Sequence, residues 1–296
     1  MGDQAHRSAE ERRLTMNLIP LHLVHDAGFN TPKKKALENA RHNTSRAGVE
    51  WFLPGERGKD GRAKQPKGDV MIVGGGPSLA GSIRAIKRRH RAGMNIIALN
   101  GAAKHLMTHG ITPDAVVVLD ARPENLTFVQ GTPDSMVHLI ASQCDPSLFD
   151  ELTSRDARVI LWHGQFCAEQ EAELLELLAN GAPVYAIPGG STVLLRTLRI
   201  AMDMGFDRLH LYGCDSSYKQ NTHHAYSQPL NAGEETLEVV WPVNMRSYRV
   251  AAWMARQVEE FWLDHKFLHE KGVKVIAHGG GFLPDVCAWL NKQVAA

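Results

Sequence analysis

Residues 70–79 read VMIVGGGPSL, and this stretch decides the fold. Four apolar residues lead directly into three glycines, a proline and a serine. A continuous apolar run is typical of a strand that is buried on both faces, as in a parallel sheet. Glycines let a ligand approach the backbone closely, and a helix that follows them offers unpaired N–H groups. The stretch therefore predicts a strand, a tight turn suited to a phosphate, and a helix.

This turn matches neither of the two best-known phosphate-binding patterns. Leu79 stands where the dinucleotide pattern GxGxxG has its third glycine, and no GKS or GKT sequence follows. A strand-to-helix turn without a ligand remains the alternative. The residues predicted to bind a ligand here are Gly74, Gly75, Gly76, Pro77 and Ser78.

The rest of the chain repeats the alternation of apolar runs and helix-like patterns. Further strands are predicted at residues 95–99, 115–119, 137–141, 158–162, 184–187, 209–212 and 273–277. Helices are predicted at residues 79–92, 101–109, 169–180, 191–205 and 246–271. This alternation predicts an α/β fold with a doubly wound, mostly parallel Rossmann-like sheet.

The N-terminal part of the chain has a different composition. Residues 8–50 are polar with a helical character, and they include Lys33-Lys34-Lys35. Residues 54–68 are rich in Gly, Pro, Lys and Arg, so they cannot bury a core and predict a linker or mobile loop. We therefore predict a helical, basic extension and linker over residues 1–68, and a nucleotide-binding domain over residues 69–296.

The overall composition excludes several classes of protein. Apolar residues make up 44% and charged residues 22% of the 296, which is ordinary for a globular protein. Lys and Arg number 33 against 32 for Asp and Glu, so nucleic-acid binding is only a minor alternative, through the basic runs at 33–35 and 84–91. The four cysteines form no CxxC pair, and no signal-peptide core or membrane-length apolar run is present. We expect a cytoplasmic protein without membrane contact, and a homo-oligomer remains possible.

Polar residues also follow the next two predicted strands. Asn100 and Gly101 come after the second strand, and Asp120 comes after the third. The carboxyl ends of the strands in an open parallel sheet line the ligand crevice, so these residues are predicted to converge on one site. Asp120 is interpreted as a ligand of Mg²⁺ or of a ribose hydroxyl, or as the cap of the following helix.

Two later strand ends resemble the first. Gly189-Gly190-Ser191-Thr192 joins an apolar run to a helix, and it is interpreted as a second anion-binding turn or as a helix cap. Asp215 follows Gly213-Cys214 just past a strand end, and this position favours a role in the site over a role at the surface.

Residues 213–245 interrupt the regular alternation. A long irregular stretch inside a compact domain is usually functional, so we interpret it as a substrate loop or lid with a small hairpin at 238–241. His223 and His224 are candidates for a general base or a phosphate partner, and Tyr226 lies in the same stretch. The alternative is an ordinary polar loop.

A series of motifs, in order, resembles the 6-hydroxymethylpterin pyrophosphokinase-like family, which is related to motility accessory factors and sialyltransferase-type proteins. The motifs are GGGPSL at 74–79, GITPD at 110–114, LD at 119–120, GGSTV at 189–193 and GCD at 213–215. The closing HGGG at 278–281 departs from the family pattern at His278.

This resemblance implies a nucleotide-binding transferase with a small-molecule nucleotide donor and a hydroxyl acceptor. The first hypothesis is an ATP- and Mg²⁺-dependent diphosphokinase, in which Asp120 and Asp215 hold the metal. The second is a glycosyltransferase with a nucleotide-sugar donor, in which His223 or His224 is the base and Tyr226 contacts a donor phosphate. The third is a non-catalytic binding protein, such as a phage accessory factor.

Overall fold

The structure is a computed structural model, and it describes residues 32–46, 49–59, 61–165, 185–228 and 233–294. The helix predicted over 169–180 lies outside the described residues, as do residues 8–31 of the N-terminal segment.

A parallel sheet forms the centre of the molecule. Its strands are β1 (Glu50–Trp51), β2 (Gly68–Val73), β3 (Asn95–Leu99), β4 (Ala115–Val118), β5 (Val137–Ala141), β6 (Val159–Gly164), β7 (Ala186–Ile187), β8 (Phe206–Tyr212) and, after a separate hairpin, β11 (Lys274–Ala277). The strand order is β1-β6-β5-β4-β3-β2-β8-β11, and β7 also pairs with β6. All the pairings in this sheet are parallel.

Helices connect and flank these strands. They are α1 (Lys33–Thr44), α2 (Leu79–Arg91), α3 (Ala102–Thr108), α4 (Leu126–Val129), α5 (Pro146–Ser154), α6 (Val193–Asp203), α7 (Ala252–Glu270) and α8 (Phe282–Gln293). The predicted α/β, mostly parallel Rossmann-like fold is confirmed. In the part of the chain that the structure describes, no helix is both long enough and apolar enough to cross a membrane.

The strand order reverses beside β2. From β2 the chain moves outward through β3, β4, β5 and β6, and then returns to place β8 and β11 on the other side. Residues 70–73 are fully buried at this position, which is why they form an unbroken apolar run. Such a reversal opens a crevice at the carboxyl ends of the strands, where doubly wound sheets bind ligands.

The single helix predicted over residues 246–271 is wrong at its start. Residues 246–251 form β10, which pairs antiparallel with β9 (Thr236–Trp241), and the helix begins at Ala252. Tyr248 and Val250 are buried while Ser247 and Arg249 are exposed, so the local period is two. The helical interpretation failed because Val250 and Met254 also fit a helical spacing. The hairpin predicted around 238–241 is confirmed.

The N-terminal segment is joined to the sheet. β1 pairs with β6. The amide of Asn39 on α1 donates hydrogen bonds to the carbonyls of Ala121 and Gln143, and that of Asn43 donates to Ser142 and Cys144. The helix α1 is therefore held against the carboxyl ends of β4 and β5.

The segment 54–68 also contacts the body of the protein. The N–H of Gly55 donates to the carbonyl of Asp203 at 2.7 Å, and Arg57 pairs with the carboxylate of Asp203 at 3.0 Å. Asp203 lies at the end of α6, so this segment is tied to the helix that follows the second glycine-rich turn.

Candidate active site

A cavity of about 540 Å³ opens at the carboxyl ends of the strands, where the strand order reverses. It brings most of the predicted site residues together: Gly74, Gly75, Gly76, Asn100, Asp120, Gly189, Gly190, Ser191, Thr192, Asp215, His223, His224 and Tyr226 line its wall. Pro77, Ser78 and Gly101 lie next to these residues but do not line the cavity.

The first glycine turn, residues 74–78, closely contacts the protein's own side chains. The N–H of Ser78, at the start of α2, donates to Oδ2 of Asp215 at 2.9 Å. A Cβ atom added at Gly76 would overlap that carboxylate and would lie 2.8 Å from the carbonyl oxygen of Gly213. Glycine is therefore required here because a carboxylate occupies the helix N-terminus, where the sequence predicts a phosphate.

Asp215 is the most unusual acid in the cavity. It is 3% exposed, and its Oδ1 atom has no hydrogen-bond partner among the described residues. Burial raises the pKa of this carboxyl to about 6, against the opposing effect of its hydrogen bonds to Ser78. The glycines of the closing HGGG motif make room for this arrangement, because a Cβ atom at Gly281 would lie 2.7 Å from the Asp215 carbonyl oxygen.

The second glycine turn, residues 189–192, is also occupied by a carboxylate. The N–H and the hydroxyl of Ser191 both donate to Oε2 of Glu260 at 2.8 Å. Glu260 in turn pairs with Arg256 at 3.0 Å. Thr192 is the N-cap residue of α6, but its side chain makes no capping hydrogen bond, so the helix-cap alternative for this turn is wrong.

Two residues of the cavity adopt a left-handed backbone conformation that is uncommon outside glycine. Asn100 has φ of 48° and Ser216 has φ of 49°. The Oδ1 atom of Asn100 is also buried without a hydrogen-bond partner in the described part of the chain. Such strain and unsatisfied polar atoms cluster at functional sites.

Asp120 is engaged by a neighbouring guanidinium group. Arg122 Nη2 lies 2.7 Å from Oδ2 of Asp120, and Arg122 Nε donates to the same oxygen at 2.9 Å. The short 3₁₀ helix that follows starts at Pro123 without a side-chain cap, so Asp120 does not cap it.

The predicted metal site fits these residues poorly. The charge of Asp120 is already balanced by Arg122, which leaves Asp215 as the one predicted ligand with an unpartnered oxygen. The described residues contain no group of three or more His, Cys, Asp or Glu side chains that could hold a metal ion. Mg²⁺ usually binds to one or two carboxylates together with substrate phosphates, so its binding here would depend on a nucleotide.

The segment His223–Gln228, which we call the histidine segment, lies over the first glycine turn. The N–H of Ala225 donates to the carbonyl of Gly75 at 2.9 Å. A Cβ atom at Gly75 would lie 2.5 Å from the hydroxyl of Tyr226 and 2.8 Å from His224. His224 is therefore held directly at the first turn, and the ring of His223 lies beside that of His224.

Both imidazoles are suited to accept a proton. Nε2 of His223 and Nδ1 of His224 are buried and have no hydrogen-bond partner among the described residues. Burial lowers the pKa of His223, and burial together with the adjacent His223 lowers that of His224 to about 4. Both rings are neutral at pH 7, and the unpartnered nitrogens, which are buried, would need a small movement of the segment before they could contact a ligand.

Several residues that line the cavity were not predicted from the sequence. Trp253, Arg256, Gln257 and Glu260 line it from α7, and their spacing of three and four residues places them on one face of the helix. The spacing of these four residues was a usable signal, but only the apolar residues of the same helix were used to predict it. Other missed lining residues are Ala36, Arg122, Gln143, Arg196 and Ser217.

Comparison with known proteins now defines the class of this chain. The model of the 6-hydroxymethylpterin diphosphokinase MptE-like family matches residues 35–221, and the chain belongs to this family. Membership supports a nucleotide-related transferase at a coarse level. No curated protein sequence matches the chain.

Two solved structures are similar to this one. The first is the MAf glycosyltransferase from Magnetospirillum magneticum AMB-1, with a TM-score of 0.63 and 17% sequence identity over 96% of this chain. The match spans only 44% of the length of that glycosyltransferase, and at this identity it shows the shared fold alone. The second is a mammalian sialyltransferase, with a TM-score of 0.39, 11% identity and coverage of 94% of this chain and 87% of that one, which is too distant to carry an argument.

Proposed function

We propose that this protein transfers a group from a nucleotide donor to a hydroxyl acceptor, with the pair His223 and His224 as the proton acceptor. The observation that carries the proposal is a pair of neutral imidazoles on the segment that covers the first glycine turn. His224 lies against Gly75, His223 lies beside His224, and each ring has a buried nitrogen without a partner in the described residues. An attacking hydroxyl must lose its proton, and a positioned imidazole that is neutral at pH 7 can accept it. The lowering of its pKa by burial keeps the ring neutral but also weakens it as a base.

The wall of the cavity is suited to a phosphorylated donor. Arg122, Arg196 and Arg256 line the same cavity as the two glycine turns. Arginine is the residue best suited to bind phosphate oxygens, because its planar guanidinium donates two parallel hydrogen bonds. Arg122 and Arg256 already pair with Asp120 and Glu260, so a nucleotide di- or triphosphate, the class of donor that we propose, would compete with these two carboxylates for the guanidinium groups.

Diphosphoryl transfer from ATP is the first candidate reaction, and the family supports it. The acceptor oxygen would attack the β-phosphorus, the bond from that phosphorus to the α–β bridging oxygen would break, and AMP would leave. The hydroxyl proton would pass to the imidazole. Mg²⁺ that arrives with ATP would neutralise the phosphates, and the residues of the chain would supply position and hydrogen bonds.

Glycosyl transfer from a nucleotide sugar is the second candidate, and the pairing of Asp120 with Arg122 favours it. That ion pair removes one of the two carboxylates that a metal-dependent diphosphokinase would use. The acceptor oxygen would attack the anomeric carbon, the bond from that carbon to the phosphate oxygen would break, and the nucleotide would leave. The proton would again pass to the imidazole, so both reactions use the same base.

Nucleotide binding to the full chain tests the proposal. ATP, ADP and the UDP-, GDP- and CMP-sugars would be compared by thermal shift and calorimetry, with and without Mg²⁺. Binding of ATP only with Mg²⁺ supports the first reaction, and Mg²⁺-independent binding of one nucleotide sugar supports the second. If no nucleotide in the panel binds, the transferase proposal is overturned and a non-catalytic binding protein takes its place.

A further inference from the structure

A second cavity of about 460 Å³ adjoins the first. Both cavities are lined by His223, His224, Tyr226 and Gln228, so the histidine segment forms the wall between them. We propose that the second cavity binds the acceptor, and that the acceptor is a neutral, hydroxyl-rich compound of the sugar class. The role of this ligand as acceptor rests on the proposed function, whereas its binding does not.

The position of the histidines connects the two cavities. Each imidazole lines both of them and keeps a buried nitrogen without a partner in the described residues. A hydroxyl in the second cavity and a phosphorylated donor in the first would therefore meet at the same two rings. A base must lie within hydrogen-bond reach of the proton that it removes, and a shared wall satisfies this condition from either side.

The opposite wall of the second cavity carries hydrogen-bonding groups that are held in place. The guanidinium of Arg249 lies 4.8 Å from the centre of the Tyr218 ring and donates to Oδ1 of Asn221 at 3.2 Å. This bond orients the exposed Asn221 side chain through its amide oxygen and leaves its N–H groups for a ligand. The carboxylate of Glu234 is the second such group, and its Oε2 accepts a hydrogen bond from Trp253 Nε1 at 2.7 Å.

These groups favour a ligand that both donates and accepts hydrogen bonds. The amide of Asn221 donates, and the second oxygen of Glu234 accepts. Hydroxyl groups do both, so a compound with several hydroxyls can satisfy each partner. The Tyr218 ring, which contacts Arg249 and His223, holds these two side chains in the lining of the cavity.

The charge of the second cavity indicates a neutral ligand. Its lining contains one guanidinium, that of Arg249, and one carboxylate, that of Glu234. The wall of the first cavity carries three arginines and three carboxylates, those of Asp120, Asp215 and Glu260. The second cavity, with a single group of each sign in its described lining, has far fewer charged groups and favours an uncharged ligand.

Saturation-transfer NMR on the full chain tests the site with three probes that share one ring. The probes are methyl glucoside, which is neutral, glucuronate, which is negative, and glucosamine, which is positive. We expect methyl glucoside to bind best, and Glu234→Gln and Asn221→Ala each to weaken its affinity about tenfold, the effect of losing one hydrogen bond to a fixed polar group. Gln at position 234 can still accept the Trp253 hydrogen bond, so the fold is retained.

Glu235→Gln is the matched control, because Glu235 is exposed, is adjacent in sequence and does not line the cavity. It should leave methyl glucoside binding unchanged. Stronger binding of either charged probe, no binding of methyl glucoside, or equal effects of Glu234→Gln and Glu235→Gln would overturn the proposal. Calorimetry of nucleotides on the same samples separates the two proposals, because failure of nucleotide binding with intact sugar binding rejects the transferase and retains this site.

Discussion

The two glycine turns have similar sequences, but they differ in backbone conformation and in how their charges are balanced. In both, a carboxylate accepts the hydrogen bond of a serine N–H just before or at the start of a helix. Glu260 at the second turn is paired with Arg256, whereas Asp215 at the first has no cation in contact and keeps one oxygen without a partner among the described residues. The histidine segment, which contains His223 and His224, packs over the first turn.

This difference teaches which turn is built for chemistry. The carboxylate of Glu260 accepts two hydrogen bonds from Ser191 and pairs with Arg256, so it holds the second turn in one conformation. We therefore interpret the second turn as mainly a structural wall of the cavity. A buried acid with a raised pKa beside two neutral imidazoles is costly to maintain, and groups of this kind cluster at reaction centres. We therefore place the reacting groups at the first turn.

The largest expected effect comes from removing the histidines of the first turn. Replacing both His223 and His224 by Gln should lower turnover by at least about 100-fold, the usual contribution of a general base. Donor affinity should change little, since the bases act on the acceptor. Ser191→Ala at the second turn is the comparison, and its turnover should stay within a few-fold of the wild type.

The pH profile of the wild type sharpens this test. A base works in its neutral form, and the pKa values of both histidines are lowered from 6.5. Activity should therefore persist as the pH falls to 6.5 and decline only below it. If the double variant keeps this acidic limb, the base lies elsewhere, and Asp215, with a pKa of about 6, is the next candidate.

Adding one methyl group to each turn should affect stability unequally. Gly76→Ala places Cβ against a backbone oxygen and the buried Asp215 carboxylate, and we expect a loss of about 3 kcal/mol in the free energy of unfolding. Gly190→Ala places Cβ against the ends of the Leu195 and Glu260 side chains and against no backbone atom, so we expect a smaller loss, of about 2 kcal/mol.

Urea unfolding of the two variants measures this difference. Gly81→Ala is the control, because a Cβ atom there has nothing within 4 Å and the residue lies inside α2. It should stabilise the protein by about 0.5–1 kcal/mol through helix propensity alone. Equal losses at Gly76 and Gly190 would contradict the view that the first turn is the more rigidly filled.

The pH dependence of stability distinguishes the two carboxylates. The pKa of Asp215 in the folded protein is about 6, above the ordinary value of 3.8, so the folded state binds this proton more tightly. Its contribution to stability is present at low pH and is lost as the pH rises towards 6. Asp215→Asn removes the buried charge that causes this loss of stability. The variant should therefore be more stable than the wild type by up to about 3 kcal/mol at pH 7.

Glu260→Gln is the counterpart at the second turn and should have the smallest effect. It breaks a partly exposed ion pair with Arg256, at a cost of about 0.5–1 kcal/mol. Free energies of unfolding, measured from about pH 4 to about pH 8, give the pH dependence of stability for the wild type and for each variant. A wild type whose stability does not fall between pH 4 and 6, or an Asp215→Asn variant that is less stable at pH 7, would show that the Asp215 carboxylate is better solvated than its burial indicates.

Much of the fold follows from local pattern. The buried runs at residues 70–73 and 115–118 have no polar interruption, and such runs identify central parallel strands regardless of their partners. The start of the helix after β10 was not predictable from spacing alone, because Val250 fits both a period of two and a helical period. Only the pairing with β9 decides between them.

The site was predictable as a set of residues but not as a set of contacts. Strand ends in a parallel sheet share one edge, so Gly75, Asn100 and Asp215 could be placed together from the order of the strands. The carboxylates that fill the turns could not, because the partners of Asp215 and Glu260 lie 137 and 69 residues away. The ion pair of Arg122 with Asp120 could not be predicted either, because residues that are close in sequence do not always pair.

The two asparagines of α1 have a practical consequence for where this protein can be cut. The composition of the chain predicts a domain that starts at Asp69. A fragment that begins there would lose the hydrogen bonds that Asn39 and Asn43 donate to four backbone carbonyls. It would also lose β1 and expose part of the edge of β6, which is a template for pairing with other chains. The smallest fragment worth expressing therefore keeps α1 and the segment that follows it.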